Sequence, residues 1–258
     1  MAEPVRITSR DNALLARVRR LTHDPTAYRR LGAVWLEGDH LCRALLARGL
    51  VAAQAVVAES AWAQPSVAEL ARAAARVAIV PDALFRGVSG LDSPAAIGFL
   101  IERPAPPVVQ RGAPTVVLDR VQDAGNVGSV LRSAAAFGFG QVVALAGTAG
   151  LWSPKVLRAG MGAHFGLRLV EGALPADLEG LGVPLLVTSS HGGEPLPSAR
   201  LPWPCAWVFG HEGRGVQPAL AGRASLVLRI PQPGGEESLN VAAAAAICLY
   251  ASATCHGA

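Results

Sequence analysis

Three stretches of this sequence set glycine beside polar side chains directly after an apolar run. In that arrangement a backbone can approach a ligand closely while side chains act on it. In the first, LDRVQDAGNVGSVLRSAAAFG (118–138), Asn126 sits between Gly125 and Gly128, and Arg132 follows on the same helical pattern. An amide both donates and accepts hydrogen bonds, and a guanidinium fork suits a phosphate. In the second, VFGHEGRG (208–215), glycines surround Glu212. No Lys-Ser/Thr pair follows, which excludes a Walker-type phosphate loop. The third, RIPQPGGEESLNVAAAAAI (229–247), carries Glu236, Glu237, Ser238 and Asn240 ahead of an alanine-rich run. Taken singly, each has an ordinary structural explanation: an asparagine cap with a surface arginine, a tight turn in which His211 is a polar loop residue, and a Ser or Glu helix cap.

The elements that must hold these stretches alternate between strand and helix. The apolar spacing predicts strands at 33–37, 54–58, 77–80 and 95–102, with helices at 39–48 and 66–76 between them. Residues 102–114, ERPAPPVVQRGAP, hold four prolines in thirteen positions and read as an extended linker. Domains are therefore expected at 1–101 and 115–258. Beyond the linker come strands at 115–119, 141–146, 184–189, 205–210 and 226–230, and helices at 127–137, 153–159 and 238–253. Short continuous Val/Leu/Ile runs fit strands covered on both faces of a parallel sheet. The expectation is an α/β, doubly wound fold with ligands beyond the carboxyl ends of its strands.

Composition narrows the class. With 258 residues, 51% apolar and 16% charged, the chain is no disordered polymer. Its longest apolar run, around 241–251, falls well short of the ~20 residues of a membrane span. The first twenty residues alternate charge with short apolar pairs instead of forming a signal sequence, so a cytoplasmic protein is expected. Cys42, Cys205, Cys248 and Cys255 show neither a CxxC pair nor Cys/His metal spacing, and neither a metal site nor a disulfide framework is expected. The first fifty residues carry nine arginines against five acidic groups, which matches the whole chain's net charge of +4. Arg6, Arg10, Arg17, Arg19, Arg20, Arg29 and Arg30 crowd the first thirty positions. Such a cluster fits phosphate contacts, or a solvated helix face in an arginine-preferring sequence.

Together and in this order, DAGNVG…R, GHEGRG and IPQPGGEESLNV resemble the three signature motifs of the SpoU/TrmH-type RNA 2'-O-ribose methyltransferases of the SPOUT class, over residues 114 to 258. ITSRDNALLARVRRL followed by VWLEGDHLCRALL resembles the substrate-binding domain, related in fold to ribosomal protein L30e, that precedes the catalytic domain in many members. Ala124 stands where proline is usual, and His211 where Asn, Ser or Ala is commoner. The resemblance implies an N-terminal L30e-like domain and a C-terminal α/β sheet threaded into a trefoil knot. It implies S-adenosylmethionine as cofactor, with Gly210, Ile230 and Leu239 as contacts made mostly through the backbone, and Thr188 as a further candidate. Arg132 corresponds to the catalytic arginine, which would clamp a phosphate and orient the 2'-oxygen. Asn126 would hold the ribose or Arg132, Glu212 would orient its neighbours, and Ser238 and Asn240 would bound the pocket.

The implied substrate is structured RNA, ribosomal ahead of transfer RNA, with Arg6, Arg10, Arg17, Arg19 and Arg20 as contacts. Members are homodimers, and the alanine-rich helix is either an interface element or a core helix. Two other readings compete. One is an RNA-binding protein that kept the fold without methylation, against which the retained polar motif residues speak. The other, a nicotinamide-dependent oxidoreductase, founders on the glycine spacing of GMGAHFG (160–166).

Overall fold

The computed structural model describes residues 3–189, 192–234 and 238–255. The chain divides into two compact units, one formed by Met1–Ala105 with Trp152–Phe165 and the other by Pro106–Leu151 with Gly166–Ala258. The break at Ala105 lies inside the proline-rich stretch. Residues 152–165, expected with the second domain, cluster instead with the first unit. There Trp152, Val156, Leu157 and His164 are buried. The short helix Pro154–Gly160 opens on a proline and ends at Met161 with φ 47°. At Gly162 (φ +86°) an added Cβ would lie 2.5 Å from the Cβ of Ala44, so only glycine lets this turn close.

The first unit is built on a five-stranded mixed sheet of β1 (Val5–Arg6), β2 (Ala33–Glu37), β3 (Gln54–Ala58), β4 (Val77–Val80) and β5 (Ile97–Glu102), in the order β1-β4-β3-β5-β2. β1, β4 and β3 run parallel, and β5 is antiparallel to both β3 and β2. Helix Ala13–His23 is capped by Asn12, whose side chain accepts from the Leu14 N–H at 2.9 Å. Leu15, Val18 and Leu21 recur at helical spacing and are buried, which turns Arg17 and Arg20 outward. Helix Asp39–Leu46 buries Leu41, Cys42 and Leu45 in the same way. Gly98 of β5 lies beneath the Trp35 indole, where an added Cβ would come within 2.2 Å of the ring and 2.9 Å of the Leu36 carbonyl oxygen.

The second unit holds a seven-stranded sheet whose pairings are all parallel: β6 (Thr115–Asp119), β7 (Gln141–Leu145), β8 (Arg168–Ala173), β9 (Leu185–Thr188), β10 (Glu194–Pro195), β11 (Ala206–Gly210) and β12 (Leu226–Arg229). Their order is β10-β12-β9-β11-β6-β7-β8. β6, β7 and β11 are buried along their whole length, as continuous apolar strands covered on both faces must be. One face packs Val117, Val143, Val208, Leu178 and Leu220 together. Helices Ala124–Ala136 and Val241–Cys255 pack against each other, and the second also lies on β11. There the buried Trp207 indole donates to Ser252 Oγ at 2.8 Å, which satisfies its one polar atom.

The chain lays β6, β7 and β8 outward in one direction. It then crosses back to place β9, and β11 later fills the gap between β9 and β6. This is a topological switch point, where a doubly wound sheet opens a crevice at its carboxyl edge. Burial pushes the Cys205 and Cys248 thiols up to about 12, so neither is a nucleophile near neutrality. Cys42 is pushed up too, by burial foremost, and Cys255 is exposed.

Gly98→Ala should destabilise the first unit by about 1–3 kcal/mol through overpacking against Trp35. Urea unfolding checks this: the midpoint should fall with the slope unchanged.

Candidate active site

Because the strands are parallel, β6, β11, β9 and β12 end on the same edge and release neighbouring loops there. In register, Gly210 of β11 faces Asp119 of β6, and Thr188 of β9 faces Leu228 of β12. Three of these strand ends, those of β6, β11 and β12, carry the three sequence stretches, and β9 lies between β11 and β12.

The helix after β6 starts at Ala124, three residues earlier than the sequence spacing indicates, because Asp123 caps it by accepting from the Asn126 N–H at 2.7 Å. Asn126 is therefore inside the first turn and not the cap, and its side chain is released for other work. Its Nδ2 donates to Glu212 Oε1 at 3.2 Å, and its Oδ1 accepts from Asn240 Nδ2 at 2.9 Å. Asn240 in turn caps the last helix, its Oδ1 accepting from the Ala242 and Ala243 N–H groups at 2.9 and 3.2 Å. That helix begins at Val241, so Ser238 and Leu239 lie in the preceding loop and the expected start at 238 is corrected. The three motifs are thus tied by one chain of hydrogen bonds.

Glu212 anchors the other end. Its Oε1 accepts from the Asp123 N–H at 3.0 Å and its Oε2 from the Gln122 N–H at 3.2 Å. Burial works to raise its pKa. The N–H groups of Asp123, Glu212 and Gln122 and the Asn126 amide outweigh that and hold it below the usual value of 4.5.

The Gly210 loop is shaped by its own backbone. His211 N–H donates to the Gly215 carbonyl at 3.1 Å, Gly215 N–H donates back to His211 at 2.8 Å, and His211 Nδ1 accepts from Gly213 N–H at 3.0 Å. A Cβ on Gly210 would fall 2.1 Å from the Gly215 carbonyl carbon. Here glycine is required by the loop folding back on the strand, whatever else the loop holds.

Sequence reasoning missed the group that fixes this loop to β6. Asp119, wholly buried, accepts from Gln217 N–H at 2.7 Å, Gln217 Nε2 at 2.9 Å, and Arg120 Nε and Nη2 at 2.8 and 3.2 Å. A carboxylate ending the otherwise apolar strand TVVLD was the available signal.

Arg132 lies six residues past Asn126, about 9 Å along the helix axis. It is exposed and makes no hydrogen bond or ion pair with a described residue. Ser238, Leu239 and Asn240 are exposed, while Ile230 and Thr188 are partly buried, with Thr188 Oγ1 donating to the Val208 carbonyl at 3.4 Å. Glu236 and Glu237 lie outside the described residues. Gln232, in the loop after β12, has a buried Oε1 without a hydrogen-bond partner among the described residues.

Of the N-terminal arginines, Arg6 is paired with Glu59, Arg17 Nη2 donates to the Leu31 carbonyl at 3.0 Å, and Arg19 Nη2 donates to the Arg10 carbonyl at 3.5 Å. Arg10 and Arg20 are exposed. Among the described residues, no cluster of His, Cys, Asp or Glu could hold a metal ion, and no helix is long and apolar enough to cross a membrane.

Residues 113–250 match the model of the SpoU rRNA Methylase family. The chain belongs to this family. It is 32% identical, over 83% of its length and 86% of the relative's, to the 23S rRNA (guanosine(2553)-2'-O)-methyltransferase RlmP of Bacillus subtilis. It is 28% identical, over 68% of its length and 66% of the relative's, to the 23S rRNA (uridine(2479)-2'-O)-methyltransferase of Streptomyces viridochromogenes. Among solved structures, the AdoMet-bound rRNA methyltransferase of Sinorhizobium meliloti superposes with a TM-score of 0.84 at 26% identity, covering 99% of both chains.

Within this SpoU chain the two motif departures have local explanations. Ala124 occupies the first helical position after the Asp123 cap, where proline is favoured but alanine forms helix well. His211 fills its place by accepting from Gly213 within the loop.

Glu212 should contribute stability that is present above its unfolded-state pKa and lost as pH falls through its lower folded value. Glu212→Gln should flatten stability between pH 5 and the acid limit, a difference that thermal melts of the two proteins across this range would reveal.

Proposed function

We propose that the protein is an S-adenosylmethionine-dependent methyltransferase acting in the cytoplasm on a ribose 2'-hydroxyl of ribosomal RNA, from a knotted site in a homodimer. One observation carries the reading: the hydrogen-bond chain from Asn240 through Asn126 to Glu212 joins all three family motifs at the carboxyl edge of the sheet. The relatives named above are 23S rRNA enzymes, which favours ribosomal over transfer RNA. One is named for a guanosine and the other for a uridine, so no base is assigned.

The residues present fit the cofactor. The loops after β11 and β12, with Gly210, Ile230 and Leu239, would hold it largely through backbone groups, and Thr188 borders them. Gln232 Oε1, buried and unpaired among the described residues, is an acceptor in that same loop, suited to an amine donor of the kind adenine carries. When bound, S-adenosylmethionine supplies a methyl carbon activated by a sulfonium leaving group.

Arg132 extends past the fixed amides with its fork unengaged. We assign it to clamping the phosphate next to the target ribose and orienting the 2'-oxygen for in-line attack. A guanidinium is a poor base, so its work is chiefly electrostatic and positional. Asn126, Glu212 and Asn240 are positioning residues, since each is engaged with the others, and Ser238 bounds the same loop. The sheet order supports the knot, because β11 enters between strands already laid down on either side.

The last helix supports the dimer. It is apolar all round, yet Ala243, Ile247 and Tyr250 lie exposed at spacings of four and three residues, one apolar stripe on which only Tyr250 has a ring contact among the described residues, edge-on with Phe137.

Labelled methyl transfer to unmodified ribosomal RNA, followed by alkaline hydrolysis, tests the activity. Wild type should leave label in alkali-resistant dinucleotides, and Arg132→Ala should reduce the rate about 10²- to 10³-fold. Label in mononucleotides would mean base methylation. Cofactor binding without transfer would favour a non-catalytic RNA-binding protein. For the assembly, Ile247→Glu should give a monomer by sedimentation where wild type is a dimer.

A further inference from the structure

We propose that a cleft in the first unit, remote in sequence from the three motifs, receives one unpaired nucleotide of the RNA substrate. The cleft has a volume of about 380 Å³ and lies among the amino end of helix Ala13–His23, the start of β3 and the end of β5. That volume is in the range of small-ligand sites. Leu14, Leu100 and Ile101 line it with apolar surface, while Arg17, Arg76, Gln54 and Glu102 bring polar groups to it.

Charge points to the occupant. Arg17, Arg76 and Glu102 are exposed, and neither Arg76 nor Glu102 is paired with a described residue. Arg17 spends one donor on the Leu31 carbonyl and keeps the rest of its fork. Arg20 lies one helical turn further along the same exposed face, extending the positive strip beyond the cleft. This strip belongs to the fifty residues that carry the chain's entire net positive charge.

A splayed-out nucleotide matches each part. The apolar wall takes the base face, a guanidinium plane can stack on it, and the Gln54 amide and Glu102 carboxylate offer acceptors to a base edge bearing N–H donors. Arg17 and Arg76 then meet the flanking phosphates. The inference rests on the RNA-methyltransferase reading and adds a subsite to it, with Arg76, Gln54 and Glu102 as contacts.

The test uses the full chain and in vitro-transcribed 23S rRNA. Arg76→Ala should raise the RNA Kd five- to tenfold and reduce the slope of log affinity against log salt by about 0.7, one single-strand phosphate contact. Arg86→Ala, an exposed arginine outside the cleft, should change both much less. Affinity for S-adenosylmethionine should be the same in all three proteins. RNA carrying thiolated bases should photocrosslink to peptides containing Leu14 or Ile101 in wild type, and less so in Gln54→Ala.

Equal weakening by the two arginine variants, no weakening by either, or crosslinks confined to other peptides would overturn the proposal. The activity reading fails separately. Wild type that binds RNA through the cleft but transfers no methyl would remove catalysis and leave the subsite standing.

Discussion

The arrangement of this active edge depends on the polarity of one hydrogen-bond chain. Asn240 must turn its carbonyl oxygen toward the two helix N–H groups it caps, so its NH2 points away from the helix. That NH2 requires an acceptor, which sets the carbonyl side of Asn126 toward it and the NH2 of Asn126 toward Glu212. Glu212, ionised, can only accept, and its two oxygens take up the free N–H groups of the loop after β6. Each amide has one permitted orientation. An aspartate at 126 would set a carboxylate against Glu212, and one at 240 would set a carboxylate oxygen against the Asn126 carbonyl oxygen, while an alanine would leave neighbouring donors or acceptors without a partner.

That chain works only because the sheet beneath it is parallel and uninterrupted. Antiparallel strands would have sent the loops after β6, β11 and β12 to opposite edges. Asp119 supplies the complementary tie from below: a fully buried charge is tolerated because four donors from Gln217 and Arg120 surround it. The Glu212 loop is thus held at two places, by Glu212 on the loop after β6 and by Gln217 on the end of β6 itself. Arg132, by contrast, makes no such tie with a described residue, as suits the phosphate-clamping role proposed for it.

Much of this was legible in the sequence, and the limits are physical. Strands β2, β3, β4 and β6 fall at the bounds that the sequence spacing predicts, because burial on both faces keeps their interior positions apolar and leaves polar residues to their ends. β8 carries no such signal, because it is an edge strand whose exposed and buried positions are mixed. Helix Ala13–His23 was visible only as a charged face, since interleaved arginines obscure the Leu15, Val18 and Leu21 stripe. The motif residues were legible as a set, but not their contacts. Asn126 meets Glu212 86 positions away and Asn240 114 positions away, separations that no local pattern encodes. The helices at the site start away from the positions their spacing predicts for a single reason: Asp123 and Asn240 are caps whose action depends on side-chain rotamers, not on hydrophobic period.

The excursion of residues 152–165 bears on how such a chain can be rebuilt. The polypeptide passes between the two units at three places, after Ala105, after Leu151 and after Phe165. A module swap made by one splice at the proline-rich stretch would bring in a foreign first unit and keep Trp152, Val156 and Leu157 with no surface made for them. Replacing the first unit of this protein therefore takes a graft of two segments with three junctions, in which the helix Pro154–Gly160 travels with the unit it completes.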